Sequence, residues 1–431
     1  MNFVRHHLAQ SSMLLVLLLL CGFFSVVTRT EQFPQDAAAA RELAAQMGEK
    51  ARVMIAVRAQ AEDAVFEEAL KKELGARVVE SVKGEPRDAR AALTRAAASG
   101  GLDFIVGTQV TAGWLIFEDL ATDFPALKDT KVLKPQGRVW PVFLTQENLL
   151  NITGQIAVIA ILAIGMTMVI ISGGIDLSVG SLLALSAVVT TLVIRDQFGG
   201  EKADALQMVL ASLCGMSVCG VCGLMSGSLI TWMRMPPFIV TLAMMLVCSG
   251  LAYRLADNQS VSQVPESFVW LGRGADVLKV PNSAMLMVLL YAVAHVIMTR
   301  MRLGRYLYAV GGNVEAALIS GVPVRRVTVL AYAMCGLLAG LGGVVMASQL
   351  KSGSGTFGAK YELFAIAAAV VGGTSLSGGR GTMWGTLIGA FVIAVIQNGM
   401  NLTNVESNTQ NIVLGLVILG AVMMDRKSVR R

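Results

Sequence analysis

The sequence predicts an all-α polytopic membrane protein of about ten transmembrane helices, with a small α/β extracytoplasmic insert between the first and second helices. Three observations carry this reading. Of 431 residues, 55% are hydrophobic and only 15% are charged, whereas a soluble domain carries about a quarter charged residues. The apolar residues gather in charge-free blocks long enough to cross a bilayer, which takes about 20 residues. One stretch, residues 30–140, differs in kind and is rich in charge, alanine and helix formers.

The apolar blocks, in order, are residues 8–28, 154–172, 177–194, 206–232, 237–253, 282–299, 327–348, 363–373, 382–400 and 408–424. The eighth is short and ends in glycine, as a broken or re-entrant helix would. The first follows a basic tail and has a leucine-rich core, features shared with a signal peptide. No small-x-small cleavage site follows in residues 24–30, so it reads as an uncleaved anchor.

Ten crossings put both termini on one side. One set of loops holds Arg5, Arg234, Arg300, Arg302, Arg305, Arg325, Arg326, Arg380, Arg426, Lys427, Arg430 and Arg431. The opposite short loops hold fewer cations, such as Lys202, Arg273, Lys279, Lys351 and Lys360, often beside acids. Cytoplasmic loops are the cation-rich ones, so both termini are expected in the cytoplasm. The net charge of +6 is then a topology signal and gives no reason to expect nucleic acid.

The chain accordingly divides into a first helix (1–29), an extracytoplasmic insert (30–140) and a membrane core with about nine spans (141–431). In the insert, residues 51–58 (ARVMIAVR), 76–82 and 102–107 read as strands. Residues 62–74 and 86–99 read as helices, ended by Gly75 and by Gly100-Gly101. Strand and helix alternate, which predicts a small parallel sheet. The order suggests part of one lobe of a periplasmic sugar-binding protein. Charged helix faces with Glu67, Lys71, Arg87 and Arg90 would suit polar docking or plain solvation.

Few residues could carry catalysis. All six cysteines lie in apolar blocks, and Cys219 and Cys222 form a C-x-x-C. A metal site would need a second ligand pair, so they read as small buried hydrophobes. Three histidines, two of them in the N-terminal tail (His6 and His7), give no basis for a metal centre or a triad.

The string S-G-G-I-D-L-S-V-G-S, residues 172–181, follows one span and opens the next. Gly173 and Gly174 break the helix, and Asp176 or Ser178 is placed to cap the new N-terminus. A break at membrane depth is tolerated only against protein or a water-filled path. Between the sixth and seventh spans, Asn313 is placed to cap a short helix, Glu315 sits in its first turn, and Gly321 and Pro323 end it. Polar residues within spans are candidates for a path, because lipid disfavours them. Gln155, Asp176, Ser178, Ser181, Gln397, Asn398 and Asn411 form that set.

Several strings together resemble the permeases of ribose-type sugar ABC importers, within the branched-chain amino acid and sugar permease superfamily. They are FLTQENLLNI (143–152), AIGMTMVIISGGIDLSVGS (163–181), MRMPPFIVTL (233–242), GRYLYAVGGNVEAALISGV (304–322) and VVGGTSLSGGRGT (370–382). The resemblance spans about two thirds of the chain. The insert is the departure, since family members usually join the first two spans by a short loop. The resemblance implies a transport subunit and no enzyme, in a bacterial inner membrane, moving a monosaccharide. It implies an ABC ATPase, a periplasmic sugar-binding protein and a second permease chain as partners, besides lipid. It makes Asn313, Glu315, Ala316, Ala317 and Gly321 the element that couples to the ATPase. The L-S-G-G at 376–379 imitates an ATPase signature, but no phosphate-binding G-x-x-x-x-G-K-[ST] string occurs. No cofactor is therefore expected in this chain, with ATP held by the partner. A permease for branched-chain amino acids is the competing reading. An ion-coupled secondary transporter would call for intramembrane acids or inverted repeats, and Asp176 is the one candidate acid.

Overall fold

The computed structural model describes residues 2–277 and 279–429. Arg430 and Arg431 lie outside the described residues, as do the side chains of Arg5, His6, His7, Arg426 and Lys427. The backbone forms two compact units, one running up to Thr28 and again from Val142 onward, the other covering residues 29–141.

The first unit opens with α1 (Asn2–Val27). The second unit then runs β1 (Arg29–Gln32), α2 (Ala37–Ala45), β2 (Val53–Val57), α3 (Ala61–Leu74), β3 (Val78–Lys83), α4 (Pro86–Ala98) and β4 (Phe104–Gly107). Three single-turn helices follow, α5 (Gln109–Ala112), α6 (Leu115–Glu118) and α7 (Leu120–Asp123), then β5 (Lys131–Leu133) and β6 (Arg138–Pro141). Local chemistry sets the helix ends. Asp36 accepts the Ala39 N–H at 2.8 Å and starts α2. Pro86 and a Glu85–Asp88 capping box start α4.

Four strands form a parallel sheet in the order β3-β2-β4-β5. The central β2 is buried at all five positions. Strand alternation sends Val53, Ile55 and Val57 to the face covered by Leu43, Phe66 and Leu70, and Met54 and Ala56 to the face covered by Leu93, Phe117 and Leu127. β1 and β6 pair antiparallel, Arg29 opposite Pro141 and Gln32 opposite Arg138. Neither this pair, nor β5, nor α2 stood out in the sequence, because each is short. Glu67 does not present a charge to solvent. It is buried and accepts from Ser81 Oγ (2.7 Å) and Lys71. Asp63 is also buried, and Arg58 donates to it through Nε and Nη2, each at 2.9 Å. Burial alone would raise the Asp63 carboxyl. The Arg58 hydrogen bonds outweigh it and hold the group below the ordinary carboxylate range.

The rest of the first unit is helical: α8 (Gln146–Ile171), α9 (Val179–Gln197), α10 (Ala205–Trp232), α11 (Pro237–Leu255), α12 (Trp270–Arg273), α13 (Asn282–Arg300), α14 (Arg302–Gly312), α15 (Val314–Ile319), α16 (Val324–Leu350), α17 (Tyr361–Val371), α18 (Met383–Leu402) and α19 (Ser407–Val429). Among the described residues seven helices (α8 to α11, α13, α16 and α18) are long and apolar enough to cross a membrane. α17 and the apolar stretches Met13–Val27 and Ser407–Met423 are shorter. This is a multi-span helical membrane protein. α8 is its axis, with 89% of its apolar window buried, whereas α10 and α11 bury only 28% and present apolar side chains outward. Cys214 on α10 is exposed with them, and so is not the buried hydrophobe its apolar block suggested.

Small residues bring the inner helices together. A Cβ on Gly336 of α16 would run into the Cys219 carbonyl of α10, and one on Gly223 into the Tyr332 carbonyl. Gly385 and Gly389 of α18 meet the Gly372 and Ala368 carbonyls in the same way. These glycines are therefore used within the chain, for close helix contact.

Candidate functional site

The break between α8 and α9 is built by backbone closure. Gly173 takes φ +87°, and the Gly174 N–H reaches back to the Val169 carbonyl at 3.0 Å. The cap differs from the sequence expectation. Ser178 is the N-cap residue of α9, but its hydroxyl makes no capping bond. It donates instead to Asp176 Oδ1 (2.6 Å), which also accepts the Ser178 N–H (2.9 Å). Asp176 thus closes a local turn just before the helix and caps no N–H within it. Ser181 Oγ donates to the Ser178 carbonyl (2.8 Å). Thr241 and Tyr332 both donate to the Ile175 carbonyl, at 3.3 and 3.4 Å. Asp176, Ser178 and Ser181 are all buried. They hold the break together, and none of them is in the described lining of the cavity at the N-terminal part of α8.

An open cavity of about 260 Å³ lies elsewhere, toward the N-terminal part of α8. Gln155 of α8, Gln349 of α16 and Gln397 of α18 converge on it, with Tyr361 at the start of α17 and apolar walls from Ile156, Ile159 and Met346. No charged side chain is among the described residues that line it. The Gln349 amide donates to the Gly154 carbonyl at 2.9 Å, which fixes its orientation. Two residues singled out in the sequence, Gln155 and Gln397, are brought together here. Asn398 is not. It forms a reciprocal amide pair with Asn148, at 2.8 and 3.1 Å, that ties α18 to α8. Asn411 is exposed on α19 and is not part of the lining. Gln349 and Tyr361 were missed for a simple reason. Each lies one or two residues beyond the apolar block that predicted its helix, so neither counted as intramembrane.

At the opposite helix ends stands the loop between α13 and α16. Asn313 Oδ1 accepts the Ala316 N–H (2.9 Å) and starts α15, and Glu315 lies in its first turn. Gly321 ends it at φ +79°, with the Val322 N–H on the Ala317 carbonyl (2.9 Å). Glu315 and Ala316 are exposed, while Ala317 is buried and so anchors the helix. Val314, Leu318 and Ile319 project outward, Ile319 with 89% of its surface open. The preceding amphipathic helix α14 carries this tip, and the sequence reading had not separated it.

The membrane unit thus carries an uncharged amide-lined cavity at one end of its helices and a capped short helix at the other. Residues 148–422 match the family described as branched-chain amino acid transport system / permease component, and the chain belongs to that family. The match begins after residues 29–141, which lie outside it. The chain is 45% identical over 289 residues to the ribose import permease protein of Bacillus subtilis, covering 67% of this chain and 87% of that one. It is 42% identical to the ribose import permease protein of Escherichia coli over 292 residues, 67% and 88% of the two chains. It is 34% identical to the D-allose transport system permease protein of Escherichia coli over 284 residues, 66% and 85%. No solved structure matches the chain.

Proposed function

We propose that the chain is the transmembrane permease subunit of an ABC importer and carries a monosaccharide such as ribose. The observation that carries this reading is the cavity in which Gln155, Gln349 and Gln397 converge with no charged side chain among its described lining residues. Amides donate and accept hydrogen bonds and so match the hydroxyls of a neutral sugar. A zwitterionic amino acid would leave its two charges without partners there, at a large desolvation cost. The relatives named for ribose and allose support the same choice. In this reading Gln155 and Gln397 face the path. Asp176, Ser178, Ser181 and Asn398 hold its walls, and Asn411 contributes nothing direct.

In this reading the chain crosses an inner membrane ten times, α17 included, with both termini in the cytoplasm and residues 29–141 outside. The cation-rich loops support this, α15 among them between Arg300, Arg302, Arg305, Arg325 and Arg326. α15 then meets an ABC ATPase through Val314, Glu315, Leu318 and Ile319. ATP is bound and hydrolysed by that partner, so this chain holds no cofactor of its own. A second permease chain completes the path, and the external unit docks a periplasmic sugar-binding protein.

Uptake of radiolabelled ribose and leucine, in cells expressing the complete importer, tests the reading. Ribose uptake that depends on ATP and falls in Gln397→Leu is expected. Leucine uptake without ribose uptake would overturn it. Labelling of a cysteine introduced at Arg87 should occur in intact cells, and labelling only after lysis would reverse the topology.

A further inference from the structure

Three backbone segments meet at a joint made of glycine. They are the C-terminal end of α8 with Gly173, the end of α14 at Gly311-Gly312, and the turn between α17 and α18 at Gly378-Gly379. Gly379 donates its N–H to the carbonyl of Ile171, the last residue of α8, at 2.9 Å. A Cβ on Gly311 would overlap that same Ile171 carbonyl. A Cβ on Gly378 would lie 2.8 Å from the Gly311 carbonyl and 3.2 Å from Gly173 Cα. A Cβ on Gly379 would lie 2.9 Å from Gly312 Cα. Tyr308 of α14 adds a stitch by donating to the Gly381 carbonyl (2.8 Å), just before α18. The two broken helices also end alike. Thr374 reaches back to the Ala369 carbonyl (2.9 Å) across Gly373 at φ +88°, as Gly174 does to Val169 across Gly173.

We propose that Gly311, Gly378 and Gly379 are positioning residues, a backbone-to-backbone joint that passes displacement of α15 to the end of α8 and to the turn that leads into α18. This rests on α15 being the coupling tip. Backbone contact without intervening side chains leaves no flexible atoms to absorb a small movement, so a shift of α14 is transmitted whole. The levers it moves are the helices that carry the amides. Gln155 lies sixteen residues up α8 from Ile171, about 24 Å of rigid helix, and Gln397 lies on α18. Tilting either helix about the joint changes the separation of these amides at the cavity.

Two adjacent glycines make the test. Gly311 has a helical backbone and no room for a Cβ, whereas Gly312 has nothing within 4 Å of one. The complete importer is reconstituted in proteoliposomes, and ribose moved per ATP hydrolysed is measured for Gly311→Ala and Gly312→Ala. Gly311→Ala is expected to keep the ATPase bound and hydrolysing while the ratio falls about tenfold, and Gly312→Ala to match the parent. An unchanged ratio in Gly311→Ala would overturn the joint. If Gly311→Ala fails to reach the membrane, Tyr308→Phe decides. Loss of its one hydrogen bond should lower the ratio about threefold, and a parental ratio would overturn the proposal. Ile319→Glu separates this from the role of α15. If that variant uncouples and the joint variants do not, the tip reading stands and the joint falls. If Ile319→Glu also behaves as the parent, α15 is not the coupling tip.

Discussion

In the unit formed by residues 29–141, the core is apolar and most charges face outward, Asp63 and Glu67 excepted: Phe66, Leu70, Leu93 and Ile105 are fully buried, and the ion pairs of Arg41, Arg90 and Arg95 lie at the surface. In the membrane unit the rim is reversed. Ile239, Leu246, Val247 and Leu289 are more than half exposed, while Thr167, Asp176, Ser178 and Thr386 are buried. One chain therefore holds itself together in two ways. The sheet unit is driven by removing apolar surface from water. The helix unit gains nothing from exchanging lipid for leucine. It depends on close backbone approach at glycines and on hydrogen bonds between helices.

The comparison breaks first at glycine. Gly336→Leu has no room against the Cys219 carbonyl and is expected to abolish recovery of a monodisperse protein from detergent. Gly415→Leu on α19, with nothing within 4 Å, should leave size-exclusion profiles unchanged. Equal behaviour of the two would show that close contact is not what holds the helices.

Next comes a large apolar side chain. Phe66→Ala in the segment 29–141, expressed alone, should cost about 4 kcal/mol in urea unfolding. Leu246→Ala on the outer face of α11 should change the stability of the detergent-solubilised protein by no more than about 0.5 kcal/mol. A comparable loss at Leu246 would place α11 against protein instead of lipid.

Acid sharpens the comparison further. The carboxyls of Asp63 and Glu67 sit below their ordinary values of 3.8 and 4.5, since hydrogen bonds from Arg58, and from Lys71 and Ser81, outweigh burial. A lowered folded value means the stabilisation is complete above the ordinary value and is lost as pH falls through the folded one. The urea midpoint of segment 29–141 should hold at neutral pH and drop below about pH 4. Asp63→Asn should be weaker at neutral pH by about 2 kcal/mol, because the buried carboxylate that accepts two charged hydrogen bonds from Arg58 becomes a neutral amide, and should drop less on acidification. Parallel acid profiles for parent and variant would remove the pair from the account.

The smallest effect is expected for a buried hydroxyl between helices. Thr167 and Thr386 share a hydrogen bond of 2.8 Å. Thr386→Val keeps the shape and should cost about 0.6 kcal/mol in thermal unfolding in detergent. A loss several times larger would mean that polar contacts, more than glycine contacts, dominate the membrane unit.

Much of the membrane unit was legible because its signals are local. Apolar runs give helices wherever backbone groups must be satisfied without water, and each apolar block does hold a helix. Asn313 reads as a cap because a cap needs only the next three residues, and the bond to Ala316 is there. The site was less legible. Position after the Gly173-Gly174 break makes Asp176 a cap candidate and polarity within a span makes it a path candidate, yet it is buried in a turn with Ser178. Asn398, equally polar and equally placed, is consumed by Asn148, which lies 250 positions away in sequence.

By itself the sequence determined that this is a multi-span permease, where its helices break, and that a short capped helix stands between Arg305 and Arg325. Composition, apolar periodicity and capping act over a few residues, and the matched strings extend that local information to a family. Only the tertiary structure decided which polar groups remain available. Gln155, Gln349 and Gln397 share a cavity because three helices bring them there. Gly311 and Gly312, identical and adjacent in sequence, differ because one faces the end of α8 and the other faces open space. Those differences arise from contacts between segments far apart along the chain, and no local signal encodes them.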